Sequence, residues 1–353
     1  MITRLELTNF SVFSHLEIDF SPKINVIIGE NGTGKTQLMK AAYALSSGGS
    51  LFKAKPAADD DELAAFLTTK LVRLCMPLED KLGKLHHTGA SEKAEIKAHL
   101  SLGEELRISF HNNSRSVVIQ DNVHYEQHTH EPVFITTKEV LSFMKGFNSL
   151  YERYELSFDQ TYQDLCLLLD LPGIRPENLQ EKSKWAMEEI EKICKGRFIF
   201  YGGGNVTFKS NNTEYSANSI AEGFRKLGIL SRLLETGAIQ PGISGSLFWD
   251  EPESNMNPKL MRLLVEILLE LSRNGQQIIL ATHDYFLLKW FDLLMKESKE
   301  DHICFHSLYR DDLGSITVES TDEYLAIEPN PIDETFEALI NSDLDRTMGD
   351  LGK

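Results

Sequence analysis

Residues 26–36 read V-I-I-G-E-N-G-T-G-K-T, an apolar run followed by a glycine-rich segment that ends in Lys-Thr. Three apolar residues predict a buried strand, which leads into a turn of the pattern G-x-x-x-x-G-K-[ST]. Apolar residues at helical spacing then predict a helix from about Lys35 to Leu45. Glycines in such a turn let successive backbone N–H groups wrap a phosphate, and the helix N-terminus adds a positive dipole. The pattern therefore predicts a phosphate-binding loop in an α/β fold.

The residues of this loop are candidates for binding a nucleotide. Lys35 is expected to reach the β- and γ-phosphates, and the Thr36 hydroxyl is expected to coordinate Mg²⁺. ATP and Mg²⁺ are therefore the predicted cofactors. The candidate nucleotide-binding residues of the loop are Gly29, Asn31, Gly32, Thr33, Gly34, Lys35 and Thr36.

A second apolar strand, residues 247–249, ends in the adjacent carboxylates Asp250 and Glu251. Because side chains alternate along a strand, the two carboxylates are expected to point to different places. Asp250 is predicted to hold Mg²⁺, through a water or through Thr36. Glu251 is predicted to orient and polarise the attacking water as a general base.

A third apolar strand, residues 278–280, is followed by A-T-H-D with a histidine at position 283. A histidine at a strand end beside a phosphate site can hydrogen-bond the γ-phosphate or the attacking water. The predicted catalytic residues are therefore Lys35, Glu251 and His283, and the predicted metal ligands are Thr36 and Asp250.

The α/β pattern lies at both ends of the chain, with other patterns between them, which indicates one split domain rather than two consecutive ones. The middle of the chain combines polar helices, strands spaced for an antiparallel sheet, and two short helices without sustained heptads. The predicted divisions are a split head (1–50 and 196–320), polar helices with an antiparallel β-subdomain (51–147), a helical insertion without a long coiled coil (148–195) and a C-terminal helix (321–353).

Local signals place the helix ends. Ser157 with Gln160 forms a capping-box pattern that predicts a helix start, and a second helix is expected from about Asn178 to Cys194. The acidic run at residues 59–61 favours a helix N-terminus over a metal cluster. The C-terminal helix has an apolar face that either packs on the head or docks a partner. The apolar residues of that face are Ile332, Phe336, Leu339, Ile340 and Leu344.

The order of the phosphate loop, the carboxylate pair and His283 resembles that of the ABC-type ATPase heads of the SMC, RecF and OLD lineage. Residues 250–258, D-E-P-E-S-N-M-N-P, are similar to the D-E-P-E-x-x-L-H-P run of stand-alone OLD-like ATPases, and Asn9-Phe10 also fits. The resemblance implies an ABC-type P-loop NTPase head of the AAA class, with an appended antiparallel β-subdomain and a short helical insertion.

The family also implies a head-to-head dimer that encloses two ATP molecules, each site completed by a signature helix of the other subunit. Residues 219–226 match the signature segment, ahead of a helix expected to begin near Leu227. This chain has Ala221 where the family serine stands and keeps Gly223, so both are carried over as candidate nucleotide contacts. Ser219 or backbone amides are expected to replace the missing hydroxyl.

The resemblance suggests roles for two further groups of residues. Arg225 and Lys226 add positive charge near the start of the signature helix. Residues 136–139, T-T-K-E, lie roughly where the family places a Q-loop contact to Mg²⁺ and water, although no glutamine occupies the segment.

Two weaker patterns have simpler interpretations. Gly202-Gly203-Gly204 lies between two strand patterns and predicts a hairpin turn rather than a second phosphate loop. A histidine-rich segment has the residue types of a metal site, but Thr129 and Pro132 favour irregular chain there. The residues of that segment are His124, Glu126, His128, His130 and Glu131.

Composition limits the class of protein. The 353 residues include 36 Lys+Arg and 53 Asp+Glu, a net charge of −17 that disfavours a dedicated DNA-binding protein. No stretch approaches the ~18 unbroken apolar residues of a membrane span, and the N-terminus lacks a signal-peptide core. The four scattered cysteines indicate neither a disulfide framework nor a zinc site. A soluble, cytoplasmic protein without a membrane partner is expected.

The resemblance suggests an ATPase that dimerises on ATP, or forms a higher even-numbered homo-oligomer, and switches a separately encoded effector such as a nuclease or toxin. Small OLD-like ATPases of this architecture commonly belong to bacterial anti-phage defence operons. The segment after Asp301 is expected to be too short for the nuclease domain of larger relatives. The alternative is a RecF-like DNA-repair or recombination head, and an importer subunit is disfavoured by the D-E-P-E run.

Overall fold

The computed structural model describes residues 1–154 and 156–351. The strands are β1 (Ile2–Phe10), β2 (Phe13–Asp19), β3 (Ile24–Gly29), β4 (Ala94–Leu100), β5 (Glu105–Phe110), β6 (Val118–Val123), β7 (Val133–Ile135), β8 (Arg197–Phe200), β9 (Val206–Ser210), β10 (Thr213–Ser216), β11 (Leu247–Asp250), β12 (Ile278–Ala281), β13 (Ile303–Arg310) and β14 (Ile316–Thr321). The helices are α1 (Lys35–Ser46), α2 (Gly49–Ala54), α3 (Asp60–Cys75), α4 (Phe147–Arg153), α5 (Gln160–Asp170), α6 (Glu181–Cys194), α7 (Glu222–Thr236), α8 (Pro258–Arg273), α9 (Tyr285–Leu294) and α10 (Pro331–Leu351).

The central sheet joins strands from both ends of the chain. Its order is β14-β13-β3-β12-β11-β7, and all neighbours are parallel except the antiparallel edge pair β13–β14. Strands β3, β11 and β12 are buried along their whole length, which explains their mostly apolar sequences. Because these strands are parallel, their carboxyl ends meet at one edge of the sheet, where ligands bind in α/β folds.

Alternating side chains of the central sheet build two separate cores. On one face Ile27, Phe248 and Ile279 join a core with α1 and the antiparallel sheet. On the other face Val26 and Trp249 join a core with α7 and α8. Helix α1, which follows the phosphate loop, is thereby held between two sheets.

The appended β-subdomain is an antiparallel sheet of order β2-β1-β4-β5-β6, as the strand spacing predicts. Helix α3 packs against α1 and β6, and its acidic start is a capping box in which Asp59 accepts from the Glu62 N–H at 2.9 Å. The glycine triplet is a turn between antiparallel β8 and β9, so the predicted hairpin is confirmed.

Three predicted helix starts are wrong by a few residues. Helix α5 begins at Gln160 with Asp159 as its cap, because that carboxylate accepts from the Thr161 N–H at 2.8 Å; the proposed Ser157 capping box is not formed. Helix α6 begins at Glu181, since residues 176–178 form a separate 3₁₀ turn. Helix α7 begins at Glu222, five residues before the expected start.

Helix α10 divides into a packed part and an exposed part. Ile332 joins the core, and the Phe336 ring stacks on Tyr285 of α9 with 3.7 Å between centroids. Leu339 and Leu344 are 65% and 52% exposed. Across residues 1–154 and 156–351, no helix has the length and apolarity needed to cross a membrane.

Candidate functional site

The phosphate loop needs glycine at three positions. Gly29, Gly32 and Gly34 have φ values of 143°, 82° and 90°, which residues other than glycine rarely adopt. A Cβ on Gly29 would lie 2.2 Å from the Leu308 carbonyl oxygen, and one on Gly34 would lie 2.6 Å from Val12. The loop is therefore shaped by its glycines against β13 and the β1–β2 turn, directly before the N-terminus of α1.

Lys35 is held inside the loop. Its Nζ donates to the carbonyl oxygens of Gly29 at 2.8 Å and Glu30 at 2.9 Å. Burial lowers the pKa of Lys35 to about 8, against the opposing effect of Asp250 and Glu251. A pKa of that value keeps most of the ammonium charged at neutral pH, which suits a phosphate ligand.

Thr36 and Asp250 meet across the sheet edge. The Thr36 hydroxyl donates to Oδ2 of Asp250 at 3.0 Å, although 214 positions separate the residues. Burial raises the pKa of Asp250, while hydrogen bonds from Thr36 and Thr137 lower it. A hydroxyl beside a carboxylate is an oxygen donor set of the kind Mg²⁺ prefers, so these residues fit the metal that the loop implies.

Glu251 and His283 face each other at the ends of β11 and β12. Glu251 has φ 47°, and its side chain is 36% exposed. Its Oε1 lies 3.8 Å from Nε2 of His283. Burial and the charge of Lys35 lower the pKa of His283, which favours a neutral imidazole. The strand ends thus present a carboxylate and an imidazole together beside the phosphate loop.

Glu253 is a site residue that sequence reasoning missed, although it lies in the quoted D-E-P-E run. Its Oε1 accepts from the Thr282 hydroxyl at 2.8 Å and from the His283 N–H at 2.9 Å. Burial raises the pKa of Glu253 to about 7. The D-E-P-E run could have indicated that Glu253 belongs to the site, but the sequence does not reveal which strand end Glu253 contacts.

The expected signature segment forms the start of α7. Ala221 is the N-cap and is exposed. Gly223 packs on the Asn255–Met256 backbone, so that a Cβ added to this glycine would lie 3.2 Å from Cα of Met256. Within the described residues, no hydrogen bond joins residues 219–226 to the phosphate loop of the same chain. Within one chain, the candidate contacts Ala221 and Gly223 therefore form no hydrogen bond with the phosphate loop.

Arg225 and Lys226 lie near the start of α7 as expected, and both are engaged within their own chain. Lys226 is fully buried, and its Nζ donates to the Glu251 carbonyl oxygen at 3.0 Å and to the Ser254 hydroxyl. Arg225 forms a 2.8 Å ion pair with the buried Glu139. Buried carboxylates and carbonyls need partners inside the fold, and these two cations supply them.

The segment at residues 136–139 follows β7, the strand beside β11. Thr137 hydrogen-bonds Asp250 through its side chain and accepts from Ser254 at its carbonyl oxygen, 3.2 Å away. Glu139 holds Arg225 of α7. The segment thus contacts the Asp250 carboxylate although it contains no glutamine.

The histidine-rich segment has a structural role. His128 is buried, with Nδ1 2.8 Å from Oε2 of Glu104 and Nε2 3.1 Å from the Ser46 carbonyl oxygen. His130 Nδ1 lies 2.7 Å from the Ile243 carbonyl oxygen. In the part of the chain that the structure describes, no group of three or more His, Cys, Asp or Glu residues is arranged to hold a metal.

Family profiles match two segments of the chain. Residues 1–168 match the family described as an AAA ATPase domain. Residues 205–289 match a family described as an AAA domain, whose description also names the AbiEii toxin of a type IV TA system.

Short segments match DNA replication and repair proteins. RecF from Bacillus mycoides (strain KBAB4) is 53% identical over 45 residues, which are 13% of this chain and 12% of that protein. RecF from Bacillus subtilis (strain 168) is 47% identical over 62 residues, 18% of this chain and 16% of that protein. The match therefore spans less than a fifth of the length of these relatives.

Solved SMC heads share the fold over most of the chain. An SMC head bound to the C-winged helix domain of ScpA has a TM-score of 0.55 at 14% identity, covering 91% of this chain and 97% of that one. The SMC head domain from Thermotoga maritima has a TM-score of 0.50 at 13% identity, covering 91% and 99%. At these identities the likeness shows the fold alone.

The chain has the fold of an SMC-type head, with a phosphate loop and two carboxylate- and histidine-bearing strand ends at one edge of its sheet. The chain is similar in sequence to AAA ATPase domains and to segments of RecF, and similar in fold to SMC heads.

We predict that Lys35→Ala weakens ATP affinity roughly 100-fold, about 2.7 kcal/mol, because the loop loses a buried charge-assisted contact to phosphate. Calorimetric titration with ATP measures the change. Lys53→Ala is the matched control, since Lys53 is half exposed and pairs with Glu131 on the surface. ATP affinity of Lys35→Ala within threefold of wild type would contradict the loop's role.

Proposed function

We propose that the chain hydrolyses ATP in a site completed by a second copy, and that this closure switches a separately encoded effector. The observation that carries the proposal is the open side of the site. Glu251 is a half-exposed carboxylate at a strand end beside the loop, and the α7 N-terminus with exposed Ala221 has no hydrogen bond to that loop among the described residues. A second copy in head-to-head orientation brings the two together.

In this proposal each residue at the sheet edge has one task. Lys35 and the loop N–H groups bind the phosphates, with Asn31, Gly32, Thr33 and Gly34 lining the loop. When bound, Mg²⁺ neutralises phosphate charge, and Thr36 and Asp250 would hold it. Glu251 accepts the proton of the attacking water, and neutral His283 hydrogen-bonds the water or the γ-phosphate.

The second copy contributes backbone rather than cations. Arg225 and Lys226 are engaged within their own chain, and the N–H groups of Phe224 and Arg225 donate to the Ala221 carbonyl oxygen. The proposed trans contacts are therefore the N–H groups of Glu222 and Gly223, together with Ala221 and Ser219. The positive end of a helix dipole favours a γ-phosphate without side-chain charge. Absence of the signature serine hydroxyl is consistent with a contact made chiefly by backbone amides.

An effector surface is proposed on α10. Leu339 and Leu344 are exposed on a helix whose first half packs beside the strand end that carries His283. Phe336 stacks on Tyr285, two residues after that histidine, so α10 lies where nucleotide-dependent movement would reach it. A nuclease or toxin encoded separately, in an anti-phage defence setting, is the proposed partner, and the toxin–antitoxin wording of the matched AAA family supports this direction.

We predict that Glu251→Gln keeps ATP binding but slows hydrolysis roughly 100-fold or more, because an amide cannot accept the water proton. The variant should accumulate as a dimer with ATP and Mg²⁺ but not with ADP. Steady-state ATPase assays and size-exclusion chromatography with light scattering measure both effects. Glu266→Gln on the outer side of α8 is the control.

Two results would separate the claims. A wild-type rate in Glu251→Gln refutes the general-base assignment. An inactive variant that stays monomeric with ATP keeps the assignment and refutes the dimer switch.

A second candidate function is a RecF-like head that binds DNA, which the RecF matches favour. The net charge of −17 opposes it, because DNA affinity depends on cations that release phosphate counterions. We predict binding to duplex DNA no tighter than about 10⁻⁵ M near physiological salt, with or without ATP. Fluorescence anisotropy across a salt series measures it. Tight ATP-dependent binding with a steep salt slope would support the RecF-like function instead.

A further inference from the structure

Glu253 links the two strand ends that carry Glu251 and His283. It follows Glu251 by two residues, and its Oε1 accepts from the Thr282 hydroxyl and from the His283 N–H. Thr282 in turn accepts from the Asp284 N–H at 3.0 Å through the same hydroxyl. One carboxyl oxygen therefore fixes the whole turn between β12 and α9.

The backbone held by Glu253 belongs to the histidine that faces Glu251. His283 Nε2 lies 3.8 Å from Glu251 Oε1, while its own N–H is tied to Glu253. A displacement of this turn by 1 Å would separate the imidazole from the carboxylate by a comparable amount. Catalytic groups misplaced by that distance lose much of their effect.

The environment of Glu253 is unusual for a residue that only closes a turn. A buried carboxyl group costs desolvation free energy, which a small or apolar side chain would avoid. Its second oxygen, Oε2, is buried and has no hydrogen-bond partner among the described residues. The hydrogen bonds of this carboxyl group to other residues are therefore those that Oε1 accepts from the Thr282 hydroxyl and the His283 N–H.

We infer that Glu253 is a positioning residue for hydrolysis, which sets the distance between His283 and Glu251 by anchoring the His283 backbone. The inference rests on the proposed function only for its activity measurement. The anchoring itself is a property of the chain without nucleotide.

The anchor is tested without ATP by hydrogen exchange at the His283 amide. Glu253→Ala removes the acceptor, so exchange of this N–H should accelerate about tenfold or more, since local protection depends on the hydrogen bond. Glu253→Asp keeps the carboxyl group but shortens the side chain by one methylene, and it should also lose protection. Glu253→Gln keeps the carbonyl oxygen and should retain protection. Exchange in Glu253→Asp equal to wild type would overturn the anchor.

The consequence is tested by a double-mutant cycle with His283→Ala. Glu253→Ala or Glu253→Asp should lower kcat about tenfold with KM for ATP within twofold, and Glu253→Gln should restore kcat to within about threefold of wild type. In the His283→Ala background the same changes should lower kcat less than twofold, because the anchored group is gone. Glu266→Ala is the control.

The outcomes distinguish the inference from the proposed function. Equal losses of kcat in both backgrounds mean that Glu253 acts independently of His283, and the inference fails. Wild-type protein without ATPase activity refutes the proposed function, while the exchange result still decides the anchor. Glu253→Asp and Glu253→Gln give the same comparison if Glu253→Ala does not fold.

Discussion

The hydrogen bond from Thr36 to Asp250 is the contact on which the site depends. It joins the first helix after the phosphate loop to a strand end 214 residues later, at 3.0 Å. Its geometry requires β3, β12 and β11 to be parallel neighbours, which the buried apolar strands achieve. The burial of Asp250 raises its pKa, and the donors Thr36 and Thr137 offset part of that effect. The order of the strands in the central sheet therefore determines whether the site can form.

The contacts of α7 place a second constraint on the molecule. Lys226 and Arg225 bind groups on the segments after β11 and β7, so the helix and both strand ends are held together. Removing one partner from such a buried pair leaves an uncompensated charge, which is strongly destabilising. At the start of α7, the cap residue Ala221 is exposed, while Gly223 packs on the Asn255–Met256 backbone. In the proposed dimer the N-terminus of α7 contacts the nucleotide bound by the other copy.

The sequence predicted the fold class because its strongest signals are local. The strand–loop–helix at residues 26–45 and the apolar strands before Asp250 and His283 each carry their own periodicity and turn chemistry. Helix starts were less accurate, since Asp159 rather than Ser157 caps α5, and both residue types are good caps.

Long-range partners could not be predicted from the sequence. Lys226 resembles a surface cation until the fold places it against the Glu251 carbonyl. The role of Glu253 depends on a contact with residues about thirty positions away. The divisions of the chain and the assigned roles of the site residues stay predictions.

Complementation between two inactive chains tests the shared site most directly. One chain carries Lys35→Ala and the other Ala221→Asp, which keeps a favourable helix cap but sets a negative charge against the phosphate. The Asp is placed at Ala221 because a side chain at Gly223 would press on Met256 of its own chain. Each chain alone should be inactive, and an equimolar mixture should recover about a quarter of the wild-type ATPase rate, since half the dimers are mixed and each has one intact site. No recovered activity in mixed dimers proven by differential tags, or full activity of Ala221→Asp alone, would contradict a site built from two copies.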